Sequence, residues 1–92
     1  MTYNGWSNYE TWNVALWLDN DEASYNDVRE VVRQASEDNS PVSLVADALK
    51  DYVESFAPDL GATMFSDLLN AALSKVDWYE MAENYLSKEK EQ

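Results

Sequence analysis

Apolar residues recur every three or four positions between residues 42 and 56, and this spacing is the strongest constraint on the fold. The stripe comprises Val42, Val45, Leu49, Tyr52, Val53 and Phe56. At about 100° per residue these positions share one side of an α-helix. Ser40 followed by Pro41 predicts the helix start, because serine is a good N-cap and proline suits the first helical position. Pro58 predicts that this helix ends near Ala57.

Four other segments carry helix signals of the same kind. The expected start residues are Ser7, which forms a capping box with Glu10, then Asp21 or Ser24, then Gly61 to Thr63, and finally Asp77. The first, second and fourth helices are expected to end near Asp19, Glu37 and Lys75. The apolar stripe expected for the fourth helix is Phe65, Leu68, Leu69, Ala72 and Val76.

These segments together predict the fold class. Only two glycines and two prolines are present, which disfavours a turn-rich β fold and favours helices. Ninety-two residues suffice for one domain. The sequence therefore predicts an all-α, compact five-helix single domain over residues 1–87. Residues 88–92 are charged and are expected to form a frayed tail.

The first helix carries apolar residues all round. Trp12 and Leu16 share one side, whereas Val14, Trp17 and Leu18 point in other directions. A helix that is apolar on every side is usually buried on every side. We therefore expect a largely buried first helix at the centre of the domain, with Trp12 and also Trp78 in the core. An aromatic cage for a methylated cation is the alternative for the tryptophans.

Catalysis and metal binding have few candidate residues. The chain contains no histidine and no cysteine, so the serines lack a histidine base and a cysteine-based metal site is excluded. Asp19, Asp21, Asp27 and Glu30 fit positions 1, 3, 9 and 12 of a calcium loop, but Ser24 stands where that loop needs glycine. We expect a protein that is not an enzyme and binds neither metal nor cofactor.

The expected cellular location follows from the absence of leader and membrane-spanning segments in the sequence. No basic and apolar leader opens the sequence, and no apolar run approaches the roughly 20 residues that a membrane span needs. We expect a soluble, cytoplasmic protein without a membrane partner.

Charge is the most unusual property of the sequence. Eighteen acidic residues face six basic ones, which gives a formal net charge of −12. Such a surface repels nucleic acid and anionic membranes, and it attracts the basic surfaces of nucleic-acid-binding proteins. Duplex DNA about 30 Å long carries roughly 18 phosphates, so the acid count is of the same order. The chain could therefore imitate DNA without binding nucleic acid itself.

Some of the acids are spaced for such imitation. Residues at i and i+4 of a helix lie about 6 Å apart, near the phosphate spacing of a nucleic-acid strand. The candidate phosphate mimics are Asp19, Asp21, Glu22, Asp47, Asp51, Glu54, Asp77, Glu80 and Glu83. Trp17 is the candidate for a separate apolar interface, because it lies on a helix with apolar residues on every side. A solvated acidic surface with no binding role is the alternative for the charged residues.

Two blocks of the chain, GWSNYETWNVALWLDNDE and VDWYEMAENYL, carry a family resemblance. They resemble a family of small proteins carried by phages, plasmids and other mobile elements. By analogy of charge and origin, the resemblance suggests an acidic DNA mimic that inhibits a host CRISPR effector or restriction enzyme. The alternative is a non-catalytic adaptor protein that binds through Trp17. The sequence leaves the oligomeric state open.

Overall fold

Five helices follow one another along the chain in the computed structural model, which describes residues 3–90. They are α1 (Tyr9–Asn20), α2 (Glu22–Glu37), α3 (Val42–Glu54), α4 (Met64–Leu73) and α5 (Trp78–Lys90). The described residues span 43 × 30 × 24 Å and contain no β-strand beyond an isolated bridge between Tyr3 and Trp6. The predicted all-α, five-helix single domain is confirmed.

Four of the five helices begin at side chains that cap their first turns, whereas α3 has Pro41 at its N-cap position and no side-chain cap. Asp21 is the N-cap of α2, and its carboxylate accepts a hydrogen bond from the backbone N–H of Ser24 at 3.0 Å. Thr63 opens α4 in a capping box with Ser66. The N-cap of α1 is Asn8 instead of the expected Ser7, and Asn8 accepts the Thr11 N–H at 2.9 Å. Each helix start therefore lies at or within one or two residues of its predicted position.

The helix ends agree less well with the sequence. Helix α3 ends at Glu54, before the expected Ala57, and α4 ends at Leu73. Helix α5 continues to Lys90, so residues 88–90, predicted to fray, are helical. Residues 91 and 92 of the predicted tail lie outside the described residues. Within residues 3–90, no helix is both long and apolar enough to cross a membrane.

Helix α5 is the central helix of the domain. Its most extensive packing is against α3, followed by α2. Met81 and Ala82 of α5 are completely buried, and Val45 and Leu49 of α3 are 1% exposed. Val32 supplies the matching contact from α2 and is 2% exposed. The core is therefore a three-helix arrangement of α2, α3 and α5.

Helix α1 lies at the edge of this core, which corrects the expectation that it would be central and largely buried. It buries one stripe, formed by Thr11, Ala15 and Leu18. Leu16 and Trp17 are exposed. The substantial contacts of α1 are with α2 and α5, so only one of its sides is covered. Apolar residues around a whole helix can be buried only if neighbours surround it, and two neighbours are not enough.

Helix α4 presents its apolar residues to solvent, which corrects the expectation that they face the core. None of its ten residues is buried. Phe65 is 62% exposed and Leu68 is 61% exposed, whereas Leu69 is half-buried. Val76, just after the helix, is buried as expected. The predicted periodicity is present, but α4 is turned so that only a narrow side touches the domain.

Candidate partner-binding surface

The nine predicted acidic residues occupy three places on the surface. Eight of them are exposed and Glu80 is half-buried. They lie around the turn between α1 and α2 (Asp19, Asp21, Glu22), on the outer side of α3 (Asp47, Asp51, Glu54) and at the start of α5 (Asp77, Glu80, Glu83). The structure therefore keeps them as three groups instead of bringing them into one site.

The outer side of α3 carries carboxylates that face water. Asp47, Asp51 and Glu54 are exposed, and none of their carboxylates has a hydrogen-bond partner or ion pair among residues 3–90. Their positions fall within roughly 60° of one another around the helix axis. Lys50 is exposed on the same side, so three acids and one base leave this face with a net charge of −2. We call this surface, comprising Asp47, Lys50, Asp51 and Glu54, the α3 acidic face.

The other two groups contain carboxylates that hold the fold together. Asp77 accepts the backbone N–H of Glu80 at 2.9 Å and so caps α5. Glu80 in turn accepts hydrogen bonds from the backbone N–H of Ser7 at 3.1 and 3.2 Å and from its hydroxyl at 2.8 Å. Asp19 accepts the hydroxyl of Tyr85 at 3.0 Å. Substitutions at these positions would remove hydrogen bonds between parts of the fold as well as charge.

Two tyrosine hydroxyls donate to acids on neighbouring helices. Burial raises the pKa of Tyr85, and the charge and hydrogen bond of Asp19 raise it further. Tyr52 of α3 donates to Asp27 of α2 at 2.7 Å. Burial, with the hydrogen bond and charge of Asp27, raises the pKa of Tyr52 to about 12. Both hydroxyls therefore stay protonated and link helices across the domain at neutral pH.

Helix α2 offsets part of its own acidity. Arg33 lies 2.6 Å from Glu30 and 2.6 Å from Glu37, one turn before and after it. The hydrogen bond and charge of Arg33 lower the pKa of the Glu30 carboxyl. These pairs are exposed, and exposed pairs of this kind contribute little to stability. Their effect on the surface is to offset part of the negative charge of α2.

The candidate calcium loop is not assembled. Asp21 caps α2, Asp19 binds Tyr85, and Asp27 binds Tyr52. Glu30 pairs with Arg33. The four carboxylates thus have separate partners in different directions. Residues 3–90 contain no cluster of three or more acids that could hold a metal ion.

The aromatic-cage alternative also lacks a suitable geometry. Trp12, expected in the core, is half-buried and instead joins Tyr3 and Tyr9 in a cluster at the edge of the domain. Ring centroids in this cluster lie 5.3 to 5.7 Å apart, the separation of rings in direct contact. Such rings leave no room for a cation between them. Trp78 packs against the core as expected.

Trp17 is the most exposed tryptophan on the described surface. Its side chain is 69% exposed on the outer side of α1. Neighbouring Leu16 is 38% exposed. Trp17, the candidate for an apolar interface, therefore points away from the core.

Sequence reasoning missed the polar contacts that join α1 to α5. Thr11 is fully buried, and its hydroxyl accepts the backbone N–H of Asp77 at 2.8 Å. Asn8 donates its side-chain N–H to the carbonyl of Lys75 at 2.7 Å. Their partners are 66 and 67 residues away. The pattern around each residue indicates only a helix start, so no local signal identifies the distant partner.

Salt is expected to stabilise the protein. Most of the 18 acids lie on the surface, and 12 negative charges remain uncompensated. Their mutual repulsion opposes the compact state, and salt screens it over a Debye length of about 10 Å at 0.1 M. We expect the melting temperature to rise between low and moderate salt, as followed by circular dichroism. A melting temperature that falls over this range would contradict it.

Alkaline pH is expected to destabilise the fold through Tyr52. Its folded-state pKa of about 12 lies above the ordinary value of 10.0. The contribution of neutral Tyr52 is thus complete below pH 10 and is lost as the pH rises through about 12. We expect a smaller alkaline loss of stability in Tyr52→Phe than in the unmodified chain. The measurement is the urea midpoint as a function of pH. Tyr79→Phe, on an exposed ring, is the matched control and should behave like the unmodified chain.

Comparison with known proteins places the chain in a family but assigns no activity. A model of a protein family of unknown function matches residues 1–90. No curated protein and no solved structure shows significant similarity to the chain. The function must therefore be inferred from the chemistry of the protein's own surface.

Proposed function

Since the chain belongs to DUF7249, a family of unknown function, we propose a function from its surface chemistry. The protein is a non-catalytic inhibitor that occupies the nucleic-acid-binding surface of a basic host protein. Its carboxylates take the place of phosphates. The target class is a CRISPR effector or restriction enzyme, and the gene belongs to a phage, plasmid or other mobile element. The observation that carries the proposal is the α3 acidic face.

The α3 acidic face supplies carboxylates on a rigid support. Val45 and Leu49, on the opposite side of α3, are 1% exposed and anchor the helix in the core. Asp47 and Asp51 are one turn apart, so their separation is about 6 Å. Carboxylates held on an anchored helix lose little freedom on binding, which favours affinity. A row of lysines and arginines that normally holds phosphates could pair with them.

The overall size and charge fit the same role. The described residues extend 43 Å along their longest axis. Duplex DNA of that length carries about 25 phosphates, at one charge per about 1.7 Å. The chain offers 18 acids and a net charge of −12, which is about half that charge. A basic cleft would attract such a surface from a distance, and the association would be fast and sensitive to salt.

The test removes charge from the α3 acidic face without changing its size. The variant combines Asp47→Asn, Asp51→Asn and Glu54→Gln. If each carboxylate pairs with a cation of the target, each pair contributes about 0.2–1 kcal/mol, so the affinity should fall by about tenfold. The salt dependence of binding should flatten as well. The measurement is displacement of a labelled DNA duplex from purified CRISPR effectors and restriction enzymes, followed by fluorescence anisotropy.

A matched control removes three charges elsewhere. Glu10→Gln, Asp38→Asn and Glu89→Gln lie on α1, at the end of α2 and on α5, and they change the net charge by the same amount. This control should retain most of the affinity if the α3 acidic face is the contact. Equal losses in both variants would mean that only the net charge matters. A target that still binds DNA while saturated with this protein would refute mimicry.

A second function is favoured by the 69% exposure of Trp17. An adaptor that binds another protein through this side chain needs no phosphate mimicry, and tryptophan is enriched among residues that dominate binding energy. On this alternative, Trp17→Ala should abolish binding to the partner protein, whereas the α3 variant should bind that partner normally. The two variants measured side by side therefore separate the two functions.

A further inference from the structure

The apolar side of α4 is the largest unexplained feature of the surface. Met64, Phe65 and Leu68 are 64%, 62% and 61% exposed. Ala71 and Ala72 are exposed beside them. At about 100° per residue these five positions cover one continuous side of the helix, with Leu68 near its centre. We call this surface the α4 apolar face.

Helix α4 contacts the rest of the domain through a different and narrower side. Ser66, Leu69 and Leu73 are half-buried and form the side that touches the domain. The wider apolar side is left to water. A single exposed leucine needs no explanation, but several large apolar side chains on one side of a helix indicate an interaction surface.

The α4 apolar face is also poor in charge. Between Met64 and Leu73 the only charged residue is Asp67, in a chain that carries 18 acids. Asp67 lies about 100° round the helix from Leu68, at the edge of the face. A basic target drawn to carboxylates would find few of them here. The surface that binds to this face should therefore be apolar, and it need not carry positive charge.

From these observations we infer that the α4 apolar face joins two copies of this chain in a symmetric dimer. A second copy presents an identical apolar helix, and a two-fold axis near Leu68 would place the two α4 helices side by side. Two chains of charge −12 repel each other, so they can meet only where charge is sparse. Ala71 and Ala72 allow the helices to approach closely.

The available area is sufficient for a modest dimer. A large apolar side chain exposes roughly 150–200 Å², so the three large residues together leave on the order of 300–400 Å² of apolar surface. With the two alanines and the flanking polar rim, a pair of copies would bury on the order of 1,000 Å², the lower range of specific interfaces. The dimer should thus be weak and dependent on concentration.

Salt separates this inference from the proposed function. Screening weakens repulsion between two negatively charged copies, so salt should strengthen the dimer. The same screening weakens binding of an acidic inhibitor to a basic target. Dimerisation does not rest on the proposed function, and either can fail while the other holds.

The test is sedimentation equilibrium of the full chain and two matched variants at low and moderate salt. Leu68→Gln places an uncharged polar group at the centre of the α4 apolar face. Leu44→Gln makes the same change on α3, where Leu44 is 57% exposed. We expect a monomer–dimer equilibrium that salt strengthens. Leu68→Gln should weaken it by about tenfold or more, and Leu44→Gln should leave it unchanged.

A chemical test locates the interface directly. The chain contains no cysteine, so a single Leu68→Cys variant, at the proposed two-fold axis, forms a disulfide only with a second copy. Under mild oxidation Leu68→Cys should form covalent dimers much faster than Ser43→Cys, an exposed position on α3. A monomer at every concentration and salt would overturn the inference. Equal effects of both glutamine variants would also overturn it. So would loss of target binding by Leu68→Gln in a chain that stays monomeric, since the face would then belong to the target.

Discussion

Leu49→Ala is expected to lower the free energy of unfolding by about 2–5 kcal/mol. Leu49 is 1% exposed on α3, the helix that packs most extensively against the central α5. Removing most of its side chain loses the burial of apolar surface and leaves a cavity that the surrounding helices fill only in part. The free energy of unfolding of a natural domain is about 5–15 kcal/mol, so this single substitution should remove a large fraction of it.

The matched control is the same substitution at Leu68 of α4, which is 61% exposed. Leu68→Ala should change the free energy of unfolding by no more than about 0.5 kcal/mol. Both variants are measured by urea unfolding at low protein concentration, so that self-association does not contribute. Equal losses at Leu49 and Leu68 would show that Leu68 packs into the core, contrary to its exposed position on α4.

Thr11→Val is expected to lower the free energy of unfolding by about 1–3 kcal/mol. Valine keeps the shape of threonine but removes the hydroxyl that accepts the Asp77 backbone N–H. That N–H then has no acceptor in a site where Thr11 itself is fully buried. An unsatisfied polar group costs more than the net value of the hydrogen bond it lost.

Thr11→Ser provides the control, because it keeps the hydroxyl and removes only a methyl group. Its loss should be smaller than that of Thr11→Val, as measured by the same urea experiment. Hydrogen exchange of the Asp77 amide gives a local readout and should accelerate in Thr11→Val. If Thr11→Val is as stable as the unmodified chain, the contact between α1 and the start of α5 does not contribute to stability.

The surface carries two faces whose proposed contacts should respond oppositely to salt. The α3 acidic face carries carboxylates that face water, whereas helix α4, which carries the α4 apolar face, has one charged residue among its ten. A charged contact with a basic target weakens as salt rises, whereas contact between two acidic copies strengthens. The two faces belong to different helices, so each can be altered while the other is left intact.

Local sequence determined the helices and most of their starts. Asp21, Thr63 and Asp77 cap helices because their side chains reach backbone N–H groups only three residues away. The stripe on α3 likewise predicts which side is buried, and Val45 and Leu49 lie in the core. The exposed carboxylates of α3 follow from the same periodicity. All of these features depend on neighbours within one or two turns.

Tertiary structure alone decided which helix is central and which apolar sides stay uncovered. Helices α1 and α4 both carry enough apolar residues to be buried, yet Trp17 and Leu68 are exposed. Sequence periodicity shows which side of a helix is apolar. It does not show whether another helix covers that side, because the covering depends on how all the helices pack. The same limit applies to Thr11, whose partner Asp77 is 66 residues away. Contacts over such separations are set by helix packing, and no pattern around Thr11 encodes them.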